Sequence, residues 1–251
     1  MRAIWTGAIG FGLVNIPIKI YSATQSSSLD LDMLDRKDKS NIKYKRVNET
    51  TGKEVSWDNI VKGYLLNEQY IVLESVDFEE ASPEKNKMIN LHSFVKTEEI
   101  DSIYFETPYY LEPAKGGEKA YDLLLKALTK SKTAGLGSFV MRNVENLALV
   151  KPHGNSLLLN KLRFEEEIRD SEELRLPQNT KIKKEEMDMA LQLIKQHSQP
   201  FDISKYKNEY TAELLNIIKQ KAKGKHTSIR KINVEYTKSS DLLAKLKASL
   251  A

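Results

Sequence analysis

The sequence predicts a mixed α+β protein that is mainly β, with a closed or nearly closed β-barrel core, an extended β ribbon and helices after the barrel. Apolar and polar residues alternate with period two, as in Val14–Tyr21, over much of the chain up to Phe164, which is typical of half-buried strands. One convincing helix, Glu118–Ser131, interrupts that pattern. After Pro177 the apolar residues repeat with the helical period instead. Five to eight strands with one inserted helix indicate a barrel.

The first two predicted strands lie within Ile4–Tyr21, where Val14, Ile16, Ile18 and Ile20 alternate with polar or exposed positions. Three glycines, at positions 7, 10 and 12, stud this segment. The spacing of these glycines, G-x-x-G-x-G, is the reverse of the G-x-G-x-x-G spacing of a dinucleotide-binding fingerprint, and no helix follows them. We therefore do not expect a nucleotide site here.

The basic ribbon, residues 29–70, comes next. Seven basic and two acidic residues lie between Arg36 and Lys53, a local excess of +5 in a chain whose net charge is +4. Ile42–Val47 alternates like a strand, and Asn48–Gly52 reads as the turn of a hairpin. Limbs of about 15 residues would extend about 50 Å, and an isolated ribbon of that length is marginal in water.

Two interpretations of the basic ribbon remain open at this point. Its lysines could protect a solvated edge from aggregation, as lysines on edge strands commonly do. They could instead form a surface for the phosphates of nucleic acid. Since a long isolated ribbon needs support, we expect it to lie on a partner chain, on nucleic acid or on both.

The remaining elements follow in order. A strand at Tyr70–Leu73 and a short acidic helix at Ser75–Glu84 precede a strand at Ile89–Lys96. An aromatic-rich strand from Ile103 to Leu111 bends at Pro108, and its aromatic rings are more often core residues than base-stacking ones. After the helix Glu118–Ser131, three further strands are predicted at Gly135–Arg142, Asn146–Lys151 and Asn155–Phe164, with Pro152-His153-Gly154 as the last turn.

The C-terminal third is helical. One apolar stripe runs from Met187 to Ile194, and a second runs from Tyr206 to Ile218, with Ser204 as its N-cap and Gly224 after its end. Thr227–Lys238 is a polar linker, and a short amphipathic helix closes the chain at Leu242–Leu250. So short a helix needs something to pack on, either this chain or a partner.

No active site is expected. The four histidines are scattered, and none has the spacing of a metal site or a catalytic triad. An acidic run, Glu165–Glu173, could supply metal ligands, but an exposed loop is the better interpretation because no histidine lies near it. We therefore expect no enzyme, no cofactor and no metal.

The location of the protein is expected to be cytoplasmic. There is no cysteine, which excludes disulfides and suits a reducing compartment. Polar residues such as Thr6 and Asn15 interrupt the N-terminal apolar run, so it does not resemble a secretory signal. No stretch approaches the roughly 20 apolar residues of a membrane helix, so no membrane contact is expected.

The residues also carry a resemblance to a known family. The matching segments are Met1–Gly7, Gly10–Tyr21, Ile42–Val47, Tyr109–Pro113, the pair Arg142 and Asn143, and Leu242–Leu250. Together they resemble prokaryotic Ku, over the whole chain and with a highly specific opening motif. Many bacterial relatives have a cysteine pair where this chain has Asn48 and Thr51, so no thiol or metal function is expected at the ribbon.

The resemblance implies a homodimeric ring that binds the ends of double-stranded DNA in non-homologous end joining and recruits DNA ligase D. It implies a Ku-type β-barrel core over residues 1–175, with the basic ribbon as the bridge over DNA. A helical arm would occupy residues 176–226, and a linker with a terminal helix residues 227–251. A nucleoid-associated location follows from DNA binding.

Sequence-independent binding requires cations that contact phosphates. The candidate contacts are Lys37, Lys43, Lys45, Arg46, Lys53, Lys62 and Arg142. Two alternatives stay open: a nucleoid or transcription protein that coats DNA internally, and a nuclease or ligase-like enzyme that uses the acidic run.

Overall fold

The structure is a computed structural model that describes residues 1–81, 87–142, 144–178, 180–224 and 241–250. The chain divides into two compact units. The first consists of Met1–Ser26 and Asp32–Asp170, and the second consists of Ser27–Leu31 and Ser171–Ala251.

The described residues of the first unit include nine strands. They are β1 (Trp5–Phe11), β2 (Val14–Ser22), β3 (Lys62–Leu66), β4 (Gln69–Leu73), β5 (Met88–Val95), β6 (Phe105–Pro113), β7 (Ala134–Met141), β8 (Val144–His153) and β9 (Ser156–Leu162). Seven of them form a closed barrel in the order β1-β2-β6-β9-β8-β7-β5, which confirms the predicted barrel core. β3 and β4 form a separate two-stranded sheet at the C-terminal end of the ribbon, and β4 extends beyond it to Leu73.

The β1–β2 hairpin shows how the alternating sequence builds the barrel. Ile16, Ile18 and Ile20 are completely buried in the core, as the period-two pattern predicted. β1 then closes the barrel by parallel pairing with β5. This closure depends on Gly7, because a Cβ built there would lie 2.1 Å from the carbonyl oxygen of Lys87. The glycine therefore serves close strand packing rather than phosphate binding.

Among its described residues, the first unit contains the α-helices α1 (Ser75–Ala81) and α2 (Glu118–Ser131). α2 connects β6 to β7 and buries Tyr121, Leu124 and Leu128 in the barrel core. The Tyr121 hydroxyl donates to the carbonyl oxygen of Leu111 and accepts from the N–H of Leu157, both at 2.7 Å. It thus ties the helix to β6 and β9. Burial raises the pKa of the Tyr121 phenol.

β6 has the bend that its sequence predicted, since its register with β9 shifts between Phe105 and Pro108. Tyr109 packs against the barrel core. Phe105 packs against a second apolar cluster around Ala134, Leu149 and Leu162. Both rings therefore contribute to packing, as the sequence favoured.

The second unit contains α3 (Lys184–His197), α4 (Glu209–Ala222) and α5 (Leu242–Leu250), and α3 packs against α5. The predicted N-cap of the second arm helix was wrong. The side chain of Asn208, not of Ser204, accepts the N–H of Thr211, so the helix begins at Glu209. Gly224 has a φ of 75° immediately after the C-cap, as predicted.

The last barrel turn also differs from its prediction. β8 continues through His153, and the chain reverses at Gly154, whose φ is 57°. The predicted linker Thr227–Lys238 and the residue Asn143 lie outside the described residues.

Candidate nucleic-acid interface

The basic ribbon consists of consecutive local hairpins. An isolated bridge joins Leu34 to Asn41, and a second one joins Val47 to Glu54. Only β3 and β4 form a regular ladder, from the pair Lys62 and Leu73 onward. The expected pairing of two limbs of about 15 residues is therefore wrong. Strong turn-forming residues close each hairpin at short range instead.

The first of these turns is closed by aspartates. The carboxylate of Asp35 accepts the backbone N–H of Lys37 at 2.7 Å. Asp38 accepts the N–H of Ser40 at 2.9 Å and its hydroxyl at 2.7 Å, and these hydrogen bonds lower the pKa of the Asp38 carboxyl. The carboxylates of Asp35 and Asp38 are thus both engaged in turn formation.

The second turn lies where the sequence predicted it. The side-chain oxygen of Asn48 accepts the N–H groups of Thr50 at 3.0 Å and Thr51 at 2.9 Å. Gly52 completes the turn with a φ of 65°. The asparagine therefore stabilises this turn by hydrogen bonding, an ordinary role for this residue.

The side chains of all seven candidate cations are exposed. Six of them, Lys37, Lys43, Lys45, Arg46, Lys53 and Lys62, lie on the ribbon between residues 37 and 62. Lys43 and Lys45 lie on the same short segment between the two isolated bridges. Within the described part of the ribbon, Lys37, Lys43 and Lys53 form no ion pair.

The other three ribbon cations contact neighbouring side chains. Lys45 Nζ lies 2.7 Å from a carboxylate oxygen of Glu54, and both side chains are more than half exposed. An ion pair in this setting contributes about 0–1 kcal/mol, so a phosphate can compete for the lysine. The guanidinium of Arg46 lies 4.4 Å from the ring centroid of Trp57. Lys62 Nζ lies 4.7 Å from the ring centroid of Phe78.

Arg142 belongs to a different element, the turn between β7 and β8. Its φ is 57°, in the left-handed region that a side chain of this size rarely adopts. Backbone strain of this kind is more common at functional sites. The turn thus holds an exposed guanidinium at the end of a barrel hairpin.

Sequence reasoning missed an apolar surface on the ribbon. In the β3–β4 hairpin, Tyr64 is 65% exposed, Leu65 55% and Tyr70 73%. Trp57, just before β3, is 68% exposed. The signal was present in the run Tyr64-Leu65-Leu66, because consecutive apolar residues on a strand place apolar groups on both faces. An exposed patch of this kind marks an interaction surface.

The acidic run, Glu165–Glu173, is mostly exposed. It folds into two short 3-10 turns, Glu165–Glu167 and Ser171–Glu173. Across residues 1–81, 87–142, 144–178, 180–224 and 241–250, no group of three or more histidine, aspartate or glutamate side chains is arranged to hold a metal ion. Nor do these ranges contain a helix with the length and apolar character that a membrane crossing requires.

Comparison with known proteins gives a consistent result. The family model of the Ku70/Ku80 beta-barrel domain matches residues 10–189. The chain is similar to the proteins called non-homologous end joining protein Ku in several organisms. That of Archaeoglobus fulgidus is 38% identical, over 100% of this chain and 98% of its own. The protein of Opitutus terrae is 39% identical, over 100% of this chain and 91% of its own length. The protein of Coxiella burnetii is 38% identical, over 92% of this chain and 86% of its own length.

Proposed function

This chain belongs to the Ku family, and from that membership we propose that it binds the ends of double-stranded DNA in non-homologous end joining. In this proposal two copies form a ring around the duplex, contact it without sequence preference and recruit DNA ligase D. The chain itself performs no catalytic step, and it acts in the cytoplasm at the nucleoid.

The observation that carries the proposal is the cluster of exposed cations on the basic ribbon, a segment in which no residue is buried. Phosphates are repeated along both strands of any duplex, so contacts to them position a protein on the DNA without reading the base sequence. Lysine and arginine supply those contacts by releasing the counterions condensed on DNA. Lys37, Lys43 and Lys53, which form no ion pair within the described ribbon, are the cations most available for this purpose.

The exposed apolar surfaces support a homodimer. An isolated two-stranded hairpin is marginally stable in water, and β3–β4 exposes apolar side chains such as Tyr64 and Leu65. The second unit has a similar unburied stripe on α3, where Leu191 is 55% exposed and Ile194 64%. Covering such surfaces with a second copy would remove them from water and would support a ribbon that has no support of its own.

The recruitment of DNA ligase D rests on family membership alone. The relatives are called non-homologous end joining proteins, a process in which broken ends must finally be sealed. A protein without a catalytic site can contribute by holding the end and presenting a surface to the sealing enzyme.

A comparison of a short linear duplex with a covalently closed circle of the same length and sequence tests the ring. A closed ring can load only where a free end exists, so the linear form should bind far more tightly. Equal affinity for the two forms would favour the alternative, a protein that coats DNA internally. A linear duplex with both ends blocked by bulky adducts separates end entry from a preference for linear shape, since it should bind as poorly as the circle.

A further inference from the structure

We propose that an apolar groove beside α2 binds an amphipathic helix of a partner protein, one that carries acidic residues next to its apolar face. The groove, called the α2 groove below, has a volume of about 610 Å³. It is lined by Phe11, Phe94, Leu123, Leu124, Ala127, Leu128, Ser131 and Thr133. All of these residues lie in the first unit, and none belongs to the basic ribbon.

The lining of the α2 groove suits apolar side chains rather than a small polar ligand. Its two polar side chains, Ser131 and Thr133, share a hydrogen bond of 2.7 Å between their hydroxyl groups. Ser131 also donates to the carbonyl oxygen of Leu128. The hydroxyls are therefore already engaged, and a polar ligand would find few free groups to orient it, whereas small-molecule sites usually provide several.

Exposed apolar residues extend the groove to the surface. Leu123 is 65% exposed and Phe94 49%, although both lie beside the buried core residues Leu124 and Leu128. An apolar patch that continues from core to solvent is typical of a site where another protein docks. Covering Leu123 and Phe94 would bury apolar area that the isolated chain leaves in water.

The dimensions of the α2 groove fit a helix. Its lining along α2 runs from Leu123 to Ser131, nine residues that span about 12 Å of helix. Anchors at i, i+4 and i+7 of an amphipathic helix span about 10.5 Å at the same rise. Two turns of a docked helix would therefore place three apolar anchors within the groove.

The charges beside the groove determine which helix it prefers. Three lysines share the side of α2 that carries Leu123, because their spacing from it is close to whole helical turns. They are Lys119, four residues before Leu123, Lys126, three residues after it, and Lys130, seven residues after it. Lys126 pairs with Asp122 at 2.6 Å. Within the part of the chain that the structure describes, Lys119 and Lys130 form no salt bridge. This row of lysines would attract carboxylates beside the docked apolar face and repel a basic helix.

The test is a selection from a displayed library of helical peptides, with apolar residues fixed at i, i+4 and i+7 and charged residues varied elsewhere. The matched pair of variants is Ala127→Glu and Thr129→Glu. Both positions are exposed on α2, and both changes add one negative charge, but only Ala127 lines the groove. Thermal unfolding and DNA binding of both variants report whether the fold is intact.

The unsubstituted protein should select peptides with acidic residues beside the apolar positions. These peptides should bind Ala127→Glu at least about tenfold more weakly, a difference of about 1.4 kcal/mol, and should bind Thr129→Glu normally. Their affinity should fall as salt increases, because exposed charges are screened.

Three results would overturn the proposal. The first is that no selected peptide distinguishes Ala127→Glu from Thr129→Glu. The second is selection of basic or uncharged peptides, which would contradict the role of the lysines. The third is a lower oligomeric mass for Ala127→Glu alone, which would show that a second copy of this chain occupies the groove. DNA binding remains a separate measurement, so failure here would leave the proposed function standing.

Discussion

Replacing Lys43 and Lys45 together with glutamine should weaken binding to a short linear duplex and reduce its salt dependence. Each lost phosphate contact lowers the slope of log K against log salt concentration by about 0.9. The two subunits of a dimer would lose up to four contacts. Lys45 is already 2.7 Å from Glu54, so its charge is partly neutralised. The slope should therefore fall by about 1.8 if Lys43 alone contributes fully and by about 3.6 if both lysines do.

Fluorescence anisotropy of a labelled duplex across a salt series measures this slope directly. Glu54→Gln should have the opposite effect, because it releases Lys45 and adds up to about 1.8 to the slope in a dimer. The matched control is Lys119→Gln with Lys130→Gln, which removes the same charge from α2 and should leave the slope unchanged.

Two results would refute this reasoning. If the Lys43 and Lys45 variant retains the original slope and affinity, the ribbon does not contact phosphate. If the α2 control loses as much as the ribbon variant, binding responds to net charge and not to the ribbon. Unchanged binding by Glu54→Gln would show only that the ion pair does not restrict Lys45, and the slope of the ribbon variant should then approach the larger value.

Three further predictions concern the dimer, the barrel and Arg142. Leu65→Glu places a charge on an exposed hairpin position, so it should preserve the fold yet shift sedimentation equilibrium toward the monomer; an unchanged mass would remove the hairpin from the interface. Tyr121→Phe should lower the free energy of unfolding in urea by about 1–3 kcal/mol, because it leaves two buried backbone groups of β6 and β9 without their partner. The pKa of a tyrosine in the unfolded chain is about 10, and burial raises that of Tyr121 in the folded protein. The stability that Tyr121 provides should therefore be fully present below the unfolded pKa and should be lost as pH rises through the folded one, so the difference from the variant should shrink there. Arg142→Gly should relieve the positive φ without loss of thermal stability but reduce the salt slope by up to about 1.8 in a dimer; full DNA affinity would exclude a phosphate contact.

Much of the barrel could be predicted because its elements are specified locally. The alternation around Ile16 and Ile18 predicted a half-buried strand, and the helical spacing of Tyr121, Leu124 and Leu128 predicted the buried face of α2. The turn at Asn48–Gly52 was equally clear, because its amide hydrogen bonds and its glycine act within five residues. The seven candidate cations came from local charge and from the family resemblance, and their contacts with DNA stay predictions.

Only the tertiary structure showed that β1 pairs with β5 to close the barrel, that Lys45 faces Glu54, and that the α2 groove and the β3–β4 hairpin leave apolar surface exposed. The sequence by itself determined most of the barrel strands and the main helices, since side-chain periodicity acts over a few residues. Which strand lies beside which, and which apolar face remains uncovered, depends on contacts between residues far apart in the chain. Those contacts are set by the packing of the whole barrel, and no short stretch of sequence contains them.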